Sequence, residues 1–165
     1  MATIERTANP RFRAGLTSEE IAELYTPSDE ELIFVAARTR QPPQQLALLI
    51  ALKCVQHLGY FPLLSDVPMA IQTCLCDALH MPRSTLPIIE VARTRYRHRD
   101  VVRSFLGLKP YPNYGEPIVD AAVMHAADTM SDPADLINVA LEQLHDDQIE
   151  LPGFSILNRR VAHIR

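Results

Sequence analysis

Arg93, Arg95, Arg97, Arg99 and Arg103 crowd one short segment, joined by Tyr96 and His98 and opposed within it only by Asp100. Guanidinium groups in such density suit phosphate recognition, because each matches a phosphate with two donors and keeps its charge. On a helix, Arg95, Arg99 and Arg103 recur every four residues and share a face, with Arg93 and Arg97 offset. A row of this kind can follow a nucleic-acid backbone, and Tyr96 adds a stacking group or a phosphate hydrogen bond. The competing reading is a solvated face partly paired with acidic helices. A second basic group, Arg159, Arg160, His163 and Arg165, lies at the other end of the sequence from a third, Arg6, Arg11 and Arg13.

Other spacings carry less chemistry. Cys74-x-Cys76 with His80 suggests a metal site, but residues two apart on a helix diverge, and zinc takes four ligands, usually from paired knuckles. Glu142-x-x-His145 has the spacing of a di-iron helix, yet that chemistry needs a second copy and two further carboxylates. Neither a glycine-rich phosphate loop nor a nucleophile elbow occurs, and five glycines leave little material for one. The expectation is therefore a chain with no catalytic residue, no metal and no cofactor.

Composition bounds the elements that position these groups. The 165 residues suffice for one ordinary domain or two small ones, and 47% apolar residues fit a globular core. No apolar run approaches the length of a membrane span, and the first residues lack a signal peptide's apolar centre, so a cytoplasmic protein is expected. Three cysteines, an odd number, point to reduced thiols. The net charge of −4 does not advertise nucleic-acid binding, whereas the local basic clusters do.

Caps, prolines and apolar stripes read as an all-α protein of about eight helices. Residues 1–15 form an extended arm. Thr17 or Ser18 caps a helix with Ile21, Leu24 and Tyr25 inward, and Ser28 caps a second with Leu32, Val35 and Ala36 inward. Residues 44–58 make the most apolar helix, closed by Gly59. A helix from Ser65 or Asp66 reaches about Leu79, and one long or two short helices span 88–106, with Ile89 among the apolar positions. Three prolines and a glycine make 108–117 the expected linker between a helical domain (16–107) and a second, smaller unit (118–165). In that unit a helix covers 118–130, Asp132-Pro133 starts another, and Ser155 caps the last, which carries Leu157, Val161 and Ile164.

Several phrases in order carry a family likeness: Pro10-Arg-Phe12, the stretch from Leu16 through Thr26-Pro-Ser-Asp-Glu-Glu-Leu32, Leu58-Gly-Tyr-Phe-Pro62, Tyr96-Arg-His-Arg99, Phe105-Leu-Gly107, Asp132-Pro-Ala-Asp-Leu-Ile-Asn138 and Glu150-Leu-Pro-Gly-Phe-Ser155. Together they cover nearly the whole chain and resemble the N-terminal region of transposases of the Tn-three type. The resemblance implies a helical module that recognises the terminal inverted repeats of a transposon, with the catalytic acidic triad far downstream of Arg165. It implies double-stranded DNA as partner, leaves self-association open, and implies neither a membrane nor a small-molecule substrate.

The last two helices have helix-turn-helix proportions, a unit whose second helix reads base edges; the competing reading is a plain helical hairpin with a solvated basic end. Asn158, Arg159, Arg160 and His163 then face DNA, and Ser155 bonds a phosphate from the helix start. The second unit is read either as cut short at Arg165 or as that of a shortened relative. The alternative reading is a helical interaction module that regulates a full-length transposase, either by pairing with it or by occupying its sites.

Overall fold

A computed structural model describes residues 1–88 and 92–164; Ile89 and Arg165, named above, fall outside them. The described residues form eight α-helices and no strand. They divide into two compact units, residues 11–102 and residues 1–10 with 103–165.

In the first unit, local capping chemistry sets the helix starts. Thr17 closes a capping box with Glu20 at the head of α1 (Ser18–Tyr25), and Ser28 does the same with Glu31 for α2 (Asp29–Arg38). Each box satisfies two backbone donors that a helix start otherwise leaves open. Helix α3 (Pro42–Leu58) has prolines in its first turn, where the missing N–H costs nothing, and ends on Gly59 at φ 76°. Leu46, Leu48, Leu49, Ile50 and Leu52 are at most 1% exposed, which puts α3 at the centre of this unit. It packs against α2 and α4 (Met69–Ala78), and α1 packs on α4.

The inward face of α2 differs from expectation. Glu31, Phe34 and Val35 are buried, while Ala36 is exposed. Glu31 is drawn inward because Lys53 Nζ reaches it at 3.1 Å and Gln56 Nε2 donates to it at 2.6 Å. Burial pushes its carboxyl up; the hydrogen bonds from Gln56 and the Ser28 backbone, together with Lys53, outweigh this and hold it below the ordinary value.

Helix α5 (Ala92–Leu106) contains the boundary between the units, after Val102. The break expected at 108–117 is instead largely helix, since α6 runs from Tyr111 to Ala126. Pro110 is its N-cap and Pro112 lies in its first turn, positions where proline removes no helix bond. Only Pro117 sits in the helix body. Gly115 is required by packing, because a Cβ there would collide with the Tyr111 ring.

In the second unit α6, α7 (Pro133–Asp146) and α8 (Phe154–Ile164) pack mutually around Val119, Val123, Leu136, Ile137, Leu144, Leu157 and Val161. Asp132 caps α7 through Ala134 N–H. Residues 1–10, expected as part of an extended arm, belong to this unit: Ala2 is buried, Ala8 N–H donates to Asn138 at 2.7 Å, and Arg6 pairs with Asp132. Residues 147–153 link α7 to α8 and carry an isolated bridge between Ile149 and Lys109. That link exceeds the 3–4-residue turn of a helix-turn-helix. None of the helices is long and apolar enough to cross a membrane among the described residues.

Candidate nucleic-acid interface

Helices α5 and α8 carry two of the basic groups singled out by sequence, one in each unit. On α5, buried His98 and Val102 define the inward side. The opposite side presents Arg93, Tyr96 and Arg97, all exposed, with Tyr96 65% accessible. Arg93 and Arg97 are one turn apart and form no ion pair with another described residue, so their guanidiniums project into solvent as a short row.

The expected row of Arg95, Arg99 and Arg103 divides differently. Arg95 and Arg99 turn toward a groove, where the Arg99 guanidinium lies over the Phe61 ring at 5.4 Å. Arg103 Nε donates to the Glu150 carboxylate at 2.7 Å, and both side chains are largely buried, 16% and 11% exposed. Arg103 is thus an internal clamp in the second unit, where a largely buried charge requires a partner. His98 is buried, and burial together with Arg97 lowers its pKa below the ordinary 6.5, so it adds no positive charge near neutral pH.

On α8, Leu157 and Val161 face the core and Ser155, Arg159 and His163 face solvent. Arg159, Arg160 and His163 border one hollow of about 320 Å³, shared with Tyr111, Glu116 and Ile156. Two of the residues singled out by sequence are engaged within the unit. Arg160 makes a two-pronged pair with Asp120, at 2.7 and 2.5 Å, and a further contact to Glu116 at 3.1 Å. Asn158 Nδ2 donates to the Ala2 carbonyl at 3.4 Å and fastens the N-terminal residues. Ser155 is in the first turn of a helix that begins at Phe154, so it does not hold the cap position expected of it.

Sequence reasoning overlooked the second row's partners. Nothing in helical spacing points Arg160 to Asp120 or Arg103 to Glu150, because both pairs span different helices or segments. The cysteines are dispersed by burial: Cys54 and Cys76 are buried, Cys74 is half-buried, and desolvation pushes the Cys54 thiol up to about 12. No group of three potential metal ligands gathers among the described residues.

No curated protein matches this chain. A family described as a domain of unknown function, DUF4158, matches residues 1–164, and this family is found in transposase-related proteins. With essentially its whole length accounted for by that match, the chain belongs to the DUF4158 family.

Proposed function

We propose that this chain is a DNA-binding module of a transposase, resembling the N-terminal region of the Tn-three type, and that it engages double-stranded transposon ends without a catalytic centre of its own. The observation that carries this reading is the solvent-facing row of Arg93, Tyr96 and Arg97 on α5. Arginines projecting beside an exposed tyrosine have the chemistry of backbone contact, two charge-assisted donors per phosphate and a phenol hydrogen bond. A net charge of −4 makes the placement of these groups matter more than their number.

Helix α8 supplies the sequence-reading part of the proposal. Arg159 and His163, one turn apart and exposed, are the side chains free to reach base edges, arginine preferring guanine. Arg160, Arg103 and Asn158 act internally and hold the helices that carry these groups. The experiment is direct titration of terminal-repeat and scrambled duplexes with the protein at several salt concentrations. Tighter binding to the repeat, with affinity falling steeply as salt rises, is the expected result. Equal and negligible binding to both duplexes at low salt would overturn the proposal.

A further inference from the structure

A groove of about 430 Å³ opens within the first unit, a size within the range of small-molecule sites, roughly 300–1,000 Å³. Its apolar floor comes from α3, through Ala47, Ile50 and Ala51, and from the 61–65 segment after it. Arg95 and Arg99 of α5 stand along one wall with His98 between them in sequence. Phe61 offers a ring face partly covered by the Arg99 guanidinium. His98 is 6% exposed, and its Nδ1 has no hydrogen-bond partner among the described residues.

The groove therefore combines an aromatic ring for stacking with two guanidiniums one helical turn apart. We propose that it binds a single nucleotide, with the phosphate on Arg95 and Arg99 and the base on the Phe61 side of the groove. A phosphate dianion fits two guanidiniums better than a lone carboxylate does. A planar base suits a ring-and-guanidinium surface, whereas an aliphatic chain gains neither stacking nor charge-assisted hydrogen bonds there. The nucleotide is either free or an unpaired unit of a DNA strand, and the chemistry is the same for both. The inference does not depend on the duplex reading, since the groove and the outward row occupy different sides of α5.

The test is an NMR titration of the full chain with deoxyadenosine 5′-monophosphate, with deoxyadenosine and octanoate as controls. Saturable shifts at Ala47, Ala51, Leu63 and His98 are expected, with deoxyadenosine about tenfold weaker because it lacks the phosphate. Ala51→Trp, which fills the groove, is expected to abolish these shifts. Arg95→Ala, a change at an exposed side chain that preserves the fold, is expected to weaken them about tenfold. A duplex carrying one unpaired 2-aminopurine distinguishes the sources. Fluorescence quenching lost in Ala51→Trp assigns the site to DNA, and unchanged fluorescence alongside mononucleotide binding assigns it to a free nucleotide. Absence of saturable mononucleotide shifts, shifts unaltered by Arg95→Ala, or tighter binding of octanoate overturns the inference, whatever the duplex titrations give.

Discussion

Arg160 on α8 grips Asp120 on α6 with two nitrogens, at 2.7 and 2.5 Å, and so ties together the two helices that border the hollow beneath Arg159. The pair converts what sequence presents as one basic cluster into a structural arginine beside a free one. Asp120 is held below the ordinary carboxylate value chiefly by the Arg160 hydrogen bond. A depressed folded pKa means that the unfolded chain binds the proton first. The stabilisation is present above the unfolded value of 3.8 and is lost as pH falls through the folded one. Arg160→Ala is expected to lower the thermal midpoint at neutral pH and to flatten its acid dependence, with duplex affinity nearly unchanged. A large loss of duplex affinity in a variant with an unaltered midpoint would show that Arg160 reaches DNA instead.

The Glu31–Lys53 pair predicts a larger effect, because both side chains are buried, 11% and 8% exposed. Lys53→Met leaves a buried carboxylate without its cation and is expected to destabilise the chain by about 3 kcal/mol. Glu31→Gln combined with Lys53→Met is expected to recover most of that loss, since glutamine still closes the capping box on Ser28. Chemical denaturation of the single and double variants measures this, and a double variant no more stable than Lys53→Met contradicts it.

Gly115 predicts a reversal of sign. Glycine to alanine inside a helix ordinarily stabilises by about 1 kcal/mol. Here the added Cβ meets the Tyr111 ring, so Gly115→Ala is expected to destabilise by about 1–3 kcal/mol. Adding Tyr111→Ala should restore the ordinary stabilising effect. A more stable Gly115→Ala single variant, seen in thermal melts, would mean that the ring moves aside freely.

His98 predicts a weakening toward mild acid. Its folded pKa lies below the ordinary 6.5, through burial first and Arg97 second. Between the two values the unfolded chain carries the extra proton, so the contribution is complete above about pH 6.5 and declines as pH falls below it. The midpoint of the wild-type chain should drop more from about pH 7 to about pH 5 than that of His98→Gln. Parallel curves for the two proteins would contradict the assignment.

Much of the helical plan is legible in the sequence because it is local. Thr17 with Glu20, Ser28 with Glu31, Asp132-Pro133 and Gly59 each announce a helix end through groups a few residues apart. The prolines at 110 and 112 mislead for an equally local reason: the first turn of a helix and a linker tolerate the same residue. Tertiary partners are invisible to spacing. Arg95 and Arg99 do share a face, but Phe61 decides where that face points, and Glu150 removes Arg103 from the row. The groove is assembled from α3, the 61–65 segment, Pro87, Ile88 and α5, so no stretch of sequence contains its signature.

Base reading and backbone contact separate through Arg159. If α8 reads bases, Arg159→Ala is expected to cost about 1–3 kcal/mol on a terminal repeat and much less on a scrambled duplex. Equal losses on both duplexes would make Arg159 a phosphate contact and remove sequence reading from α8.

The central claim is that the outward row of α5 holds DNA by its phosphates, and the salt dependence of duplex binding tests it most directly. Logarithmic plots of affinity against salt should be linear for the wild-type chain. Replacing both Arg93 and Arg97 with alanine should reduce the slope by about 2, since each phosphate contact contributes roughly 0.9, and should weaken terminal-repeat and scrambled duplexes alike. An unchanged slope with unchanged affinity in the folded double variant would contradict the account and leave the row a solvated face.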